Sequence, residues 1–295
     1  VSYLASAIGG GLLEVMASPI VEAAPAGENK EQAMSLLHSV YCYGHVAVVI
    51  LTTIGFRIFG MDHWYYLPIL WAIVPFLNIF AFAKVPINRL VADHEKLTVK
   101  ELFSIKIFWV FFFMMLCAGA AEQAMSQWSS YFAETGLNVS KTMGDLLGPA
   151  AFALMMGFSR TFYGRKGGEL NLPKFMTGSS ILCILSYLLA VFAPHPLLSL
   201  LGCALCGFSV GIMWPGTISI SAAACKRGGT ALFAFLALAG DIGCAAGPAF
   251  VSLVAAANNN DIKAGLLAAI LFPAALLLII LINRTPRQQT ATNGS

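Results

Sequence analysis

Ile105–Phe132, IKIFWVFFFMMLCAGAAEQAMSQWSSYF, is the stretch that decides the fold class. Its only ionisable groups of full charge are Lys106, near the start, and Glu122. A helix needs about 20 predominantly apolar residues to cross a hydrocarbon core of roughly 30 Å, and this run supplies them. Eight further stretches of the same kind surround it: Ser2–Val21, Leu37–Phe59, Trp64–Ala83, Met143–Tyr163, Phe175–Ala193, Leu197–Ala223, Thr230–Ala256 and Ile262–Ile282. Strand alternation is absent, and barrel strands would be only about ten residues long. In lipid each segment must satisfy its own backbone hydrogen bonds, so the expectation is an all-α membrane protein of nine transmembrane helices. Pro68, Pro75, Pro149, Pro215, Pro248 and Pro273 fall inside these stretches, where a helical bundle tolerates them.

Composition agrees. Apolar residues make up 58% of the chain and charged residues 11%, with a mean hydropathy of +0.79. A soluble domain carries roughly 25% charged residues, so this surface has to face lipid. The net charge of +3 is spread over short loops and gives nucleic acid nothing to bind.

Numbering the segments one to nine, one side of the membrane receives Lys30, Lys84, Arg89, Lys96, Lys100, Lys106, Arg160, Arg165, Lys166, Lys174, Lys226, Arg227, Arg284 and Arg287. The other receives only Arg57, Lys141 and Lys263. The positive-inside rule makes the first side cytoplasmic, with the C-terminus inside, in the plasma (inner) membrane. Single cysteines at positions 96 and 138 in a cysteine-free background test this. An impermeant thiol reagent applied to intact cells is expected to label position 138 and spare 96; the reverse pattern inverts the orientation.

The chain opens at Val1 and enters an apolar span at once, so the expectation is a piece lacking three helices at its start; no signal-peptide pattern is visible. The longest connection, from about Lys84 to Lys106, separates three spans from six. Residues 1–84 then read as part of a first bundle, 85–104 as a central cytoplasmic loop, 105–283 as a six-helix second bundle and 284–295 as a disordered polar tail. The seven cysteines sit within or at the ends of apolar spans. Cys203 and Cys206 have CxxC spacing without any other ligand nearby, so they read as packing residues; neither a metal nor a cofactor is expected. Asn138-Val139-Ser140 is a glycosylation sequon on the outer side.

Segment one contains Gly11-Leu12-Leu13-Glu14-Val15-Met16-Ala17-Ser18-Pro19, and segment two Leu36-Leu37-His38-Ser39-Val40-Tyr41-Cys42-Tyr43-Gly44. Together they resemble the fourth and fifth helices of the fucose–proton symporter family within the major facilitator superfamily, where an L-E-x-x-x-N-P segment precedes L-N-L-x-Q-x-x-N-x-x-G. Gly211-Ile212-Met213-Trp214-Pro215-Gly216-Thr217-Ile218 looks like that family's tenth helix, and the stretch from Gly157 to Lys166 is similar to the superfamily gate motif G-x-x-x-D-R-x-G-R-[RK]. Ser18 stands where the family has Asn, His38 and Tyr41 where Gln and Asn are usual, and Thr161-Phe162 in place of Asp-Arg. The resemblance implies a carrier of two rocking helix bundles, a sugar and a proton as partners, and a gate at Gly157, Arg160, Gly164, Arg165 and Lys166.

Ionisable residues inside spans are costly, about 2.5–3.5 kcal/mol on insertion scales, and usually face a cavity. Glu14 has Gly10, Gly11, Ala17 and Ser18 as its helical neighbours, a small-residue face that leaves room for water or solute. It reads as a proton-coupling acid, the alternative being an acid paired for packing. His38, Tyr41, Cys42 and His45 share one face of segment two, with His38 and Tyr41 as solute contacts. In segment four, Glu122, Ser126, Ser129 and Ser130 share a face with Gln123 and Gln127 beside it. Glu122, Gln123, Gln127 and Trp128 suit a sugar site, an interfacial anchor being the other reading of Trp128. Trp214 joins them as a solute contact. Asp241 reads as a second coupling acid or as a group bonded to backbone, beside a Gly243/Gly247 packing seam. Asp145 reads as a helix-start acid, and Arg160 as a snorkelling or gate residue.

The sequence thus points to a secondary active transporter, a proton-coupled permease for a sugar or similar polar solute. Efflux of amphipathic compounds and a non-transporting sensor derived from a transporter are the alternatives. No HExxH, nucleophile elbow or paired-acid loop argues for an enzyme.

Overall fold

The computed structural model describes residues 2–24, 29–85, 88, 90–92 and 96–283, which are helix and connecting turn with no strand among them. The expected disordered tail at 284–295 lies outside the described residues, as do Arg89, Arg284 and Arg287.

The first three helices are α1 (Ser2–Ala23), α2 (Lys30–Phe59) and α3 (Tyr66–Phe82). A short α4 (Val99–Ser104) occupies the end of what the sequence suggested was loop. A capping box explains it: the Thr98 hydroxyl accepts from the Glu101 backbone N–H, and the Thr98 backbone N–H donates to Glu101 at 2.8 Å. Those bonds from Thr98, backbone first and then hydroxyl, hold the Glu101 carboxyl below the usual carboxylate range.

Next come α5 (Lys106–Tyr131), continued by a π turn to Gly136, and α6 (Lys141–Asp145), a π turn over Leu146–Ala150 and α7 (Ala151–Lys166). The turn between α6 and α7 contains Pro149, which cannot donate to the preceding turn. The remaining helices are α8 (Leu172–Phe192), α9 (Pro196–Val210), α10 (Met213–Ala224), α11 (Gly229–Ala257), α12 (Ile262–Ala268) and α13 (Leu271–Ile282).

Seven helical runs among the described residues are long and apolar enough to cross a bilayer. All nine expected stretches fall on helix, but two miss that standard. Trp64–Ala83 becomes α3, only 17 residues long, and Met143–Tyr163 becomes the α6–α7 run, its apolar character diluted by Asp145, Pro149 and Arg160. The second stretch also begins earlier than expected, at Lys30, because a polar first turn with Glu31 extends the helix beyond its apolar part.

The packed body is built around α5. Helix α11 lies along it, α9 packs against both α7 and α8, and α13 closes against α5 and α8. The α5–α11 approach is close because the seam is made of glycine. A Cβ built on Gly243 would collide with the Leu116 carbonyl, and one on Gly247 with the Ala120 backbone. Helix α2 packs against α7, and α1 against α11 and α2. Helix α3 has no buried residue.

Candidate functional site

The glycine seam turns one face of α11 toward α5 and leaves Asp241, one residue on from Gly240, outside that contact. On α5 the turn that carries Glu122 is backed by Tyr187 of α8, whose hydroxyl donates to the Ala121 carbonyl at 2.9 Å. On α1 the small residues Gly10 and Ala17 flank Glu14, as the sequence spacing required. These helices enclose a cavity of about 570 Å³ lined by Glu14, His38, Tyr41, Glu122, Gln123, Arg160, Trp214 and Asp241, with Gly10, Leu13, Ala17, Leu37 and Cys244 between them.

The wall is chemically uneven. Three carboxyl groups face one guanidinium, and that guanidinium is already engaged. Arg160 is 2% exposed and Glu122 5%. The Arg160 Nη2 donates to Glu122 Oε2 at 3.2 Å. Its Nε donates to the Gly211 carbonyl at 2.9 Å, and its Nη1 reaches the His38 carbonyl at 3.0 Å and the Cys42 sulfur at 3.2 Å. Glu14 and Asp241 have no ion-pair partner among the described residues. His38 Nε2 lies 3.3 Å from the Ser18 hydroxyl, tying α2 to α1. Trp214 is buried against Gly240, with the indole edge pressed where a side chain would otherwise stand.

Gly211 can serve as acceptor because of a proline. In a continuous helix its carbonyl would take the N–H of residue 215, but Pro215 has none, and α9 ends at Val210. The orphaned carbonyl turns to the guanidinium. The sequence holds this signal, a proline four residues after a glycine inside one apolar run, but the run itself says only that a bundle tolerates the proline. Arg160 and Glu122 lie in neighbouring spans, and the sequence gives no sign that they pair. Arg160 was expected to snorkel or to serve the gate; snorkelling is ruled out, because its head is buried at the cavity instead of reaching the membrane surface.

Gln127 and Trp128 do not line the cavity. Gln127 is exposed, and the Trp128 indole N–H donates to the Pro248 carbonyl at 3.0 Å, binding α5 to α11. Asp145 ends α6 within a continuous helical run instead of starting a helix; it accepts from the Ser130 hydroxyl and lies 3.6 Å from Lys141. Of the gate residues, Gly157 meets Cys42 and Tyr43, and Gly164 meets Leu36, so both serve the α2–α7 contact. Arg165 and Lys166 are exposed at the end of α7, with Lys166 3.8 Å from Glu169. The Cys203–Cys206 pair is buried, and Cys206 faces Cys183 with its sulfur 3.9 Å away.

Residues 1–248 match the family model described as Major Facilitator Superfamily. An uncharacterized MFS-type transporter of Yersinia pestis is 25% identical over 169 residues, which is 57% of this chain and 44% of that protein. The chain therefore spans less than half the length of that curated relative. The fold is similar to a crystal structure of a variant of the E. coli fucose:proton symporter FucP, with a TM-score of 0.74 at 15% identity, covering 93% of this chain and 74% of that one. A second FucP structure, in the outward conformation, gives a TM-score of 0.76 at 14% identity, covering 93% and 73%.

Proposed function

Because this chain belongs to the Major Facilitator Superfamily, we propose that it acts in proton-coupled uptake of a sugar or similar small polar solute. One observation carries the reading: side chains from α1, α2, α5, α7, α10 and α11 converge on a single cavity with carboxyl, carboxamide, imidazole, phenol and indole groups together. Hydroxyl-rich solutes are bound by that combination, polar groups fixing the hydroxyls and aromatic faces covering the ring.

In this reading His38, Tyr41, Glu122, Gln123 and Trp214 contact the solute, and Glu14 and Asp241, the two acids without an ion-pair partner, exchange the proton. Gln127 and Trp128 act outside the first ring of contacts. Residues 1–84 and 105–283 form the two bodies that rock, the basic side faces the cytoplasm, and the 85–104 segment links them there. Gly157, Gly164, Arg165 and Lys166 work at the gate, with the two glycines keeping α2 and α7 smooth enough to slide.

The test is flux. The complete transporter in proteoliposomes, with an inward proton gradient, is expected to accumulate a neutral hexose, L-fucose being the first probe because of the FucP likeness. Collapse of the gradient by a protonophore is expected to abolish accumulation. Extrusion of amphipathic dyes with no accumulation of any sugar would reverse the reading in favour of efflux.

A further inference from the structure

Arg160 does two things at once, and they belong to different parts of the molecule. Through Nη2 and Nε it is fixed within the packed body, to Glu122 of α5 and to the Gly211 carbonyl at the α9–α10 break. Through Nη1 it holds α2, at the His38 carbonyl and the Cys42 sulfur. We infer that Arg160 is a reversible tie that couples the solute site to the junction between the two rocking bodies. The inference rests on the transport reading above, which supplies the rocking motion.

The geometry favours this division. The contacts to Glu122 and Gly211 join helices of one body and survive when α2 moves. The contacts to His38 and Cys42 cross the junction and have to break. A guanidinium suits the role because its planar fork serves several acceptors at fixed angles, which an ammonium cannot reproduce. The tie also reaches the cavity: Glu122 Oε2 is taken by Arg160, while Oε1 receives no hydrogen bond among the described residues and is left for a solute hydroxyl. A solute drawing on Glu122 shifts the carboxylate that anchors the fork, and the fork carries the change to α2. The other side-chain hydrogen bonds between α2 and α7 among the described residues, Ser35 to the Arg160 carbonyl at 2.7 Å, Tyr43 to Thr161 at 2.7 Å and the Tyr163 hydroxyl to Glu31 at 3.0 Å, are single bonds with no link to the cavity acids.

The experiment measures the junction directly, without ligand or flux. Spin labels on cysteines at exposed positions 57 of α2 and 142 of α6 report the distance between the bodies in nanodiscs. The native cysteines, all buried or half-buried, stay in place, and the parent without added cysteines gives the background. The parent is expected to show one dominant distance. Arg160→Gln and Arg160→Lys are each expected to show a second population of comparable weight, because neither can hold α2 and Glu122 together. Ser35→Ala, which loosens the same seam without touching the guanidinium, is expected to match the parent. If Arg160→Gln does not fold, Arg160→Lys decides. Parent-like distances in the folded arginine variants overturn the tie, and so does an equal shift in Ser35→Ala. Shifted arginine variants in a protein that shows no solute flux leave the tie standing and overturn the transport reading instead.

Discussion

On the proposed reading, Glu14→Gln in the complete transporter is expected to abolish uptake driven by a proton gradient and to leave counterflow exchange running. The carboxamide keeps the size and hydrogen-bonding capacity of the acid but has no proton to release. Glu14 lines the cavity with no ion-pair partner among the described residues, so no fixed cation holds its carboxylate ionised. Accumulation under an imposed pH gradient is expected to fall to the level of protein-free vesicles, while exchange of labelled for unlabelled solute at equal pH persists. Glu122→Gln is the informative comparison. There the variant gives up the buried ion pair with Arg160 as well as a charge-assisted hydrogen bond to solute; the latter alone is about 1.5–3 kcal/mol, or roughly ten- to a hundredfold in affinity, with the gradient still coupled. Gradient-driven accumulation at the parent level by Glu14→Gln removes Glu14 from the coupling step and transfers the role to Asp241.

The second large effect is structural. Gly243→Val drives a branched side chain into the Leu116 carbonyl, where backbone on both helices has to separate. Overpacking of this kind costs about 1–3 kcal/mol even when side chains alone can yield, and here no flexible group stands in the way to give ground. The melting temperature in detergent is expected to fall by roughly 2–4 °C for each kcal/mol lost. Gly178→Val supplies the contrast: it makes the same substitution in α8, where a Cβ meets nothing within 4 Å. Equal losses in the two variants would mean that the α5–α11 seam has no special role and that helix propensity alone sets the effect.

The seam shows what kind of information the sequence carries well. Gly243 and Gly247 sit four apart on one helix, and that local spacing announced a close approach before any partner was known. Glu14 on its small-residue face, and His38 with Tyr41 on theirs, were legible for the same reason: each depends only on the period of its own helix. Gln127 shows the limit of that logic. It shares the side of α5 near Gln123, yet it lies a full turn further along and stands beyond the end of the cavity, because depth along a helix axis depends on where the neighbouring helices cross. Trp128 does not line the cavity as a solute contact would; its indole N–H donates to the Pro248 carbonyl, a bond that its sequence position gives no sign of. The Glu122–Arg160 pair was the largest omission. Its members are 38 residues apart, and nothing in the periodicity of α5 or α7 says that these two faces meet.

The broken helix at Gly211 has a bearing on how the protein is made. Residues 196–224 form one apolar run with a mean hydropathy of 2.0 in its best window, a segment the insertion machinery can release into lipid as a single unit. At that moment the Gly211 carbonyl, deprived of its donor by Pro215, lacks a partner in hydrocarbon. Synthesis runs from the N-terminus, so α2, α5 and α7 precede this segment, and Arg160 is already present to supply the missing donor when Gly211 arrives. A defect at Pro215 or Gly211 accordingly belongs to late assembly, in a chain whose earlier spans are already in the bilayer.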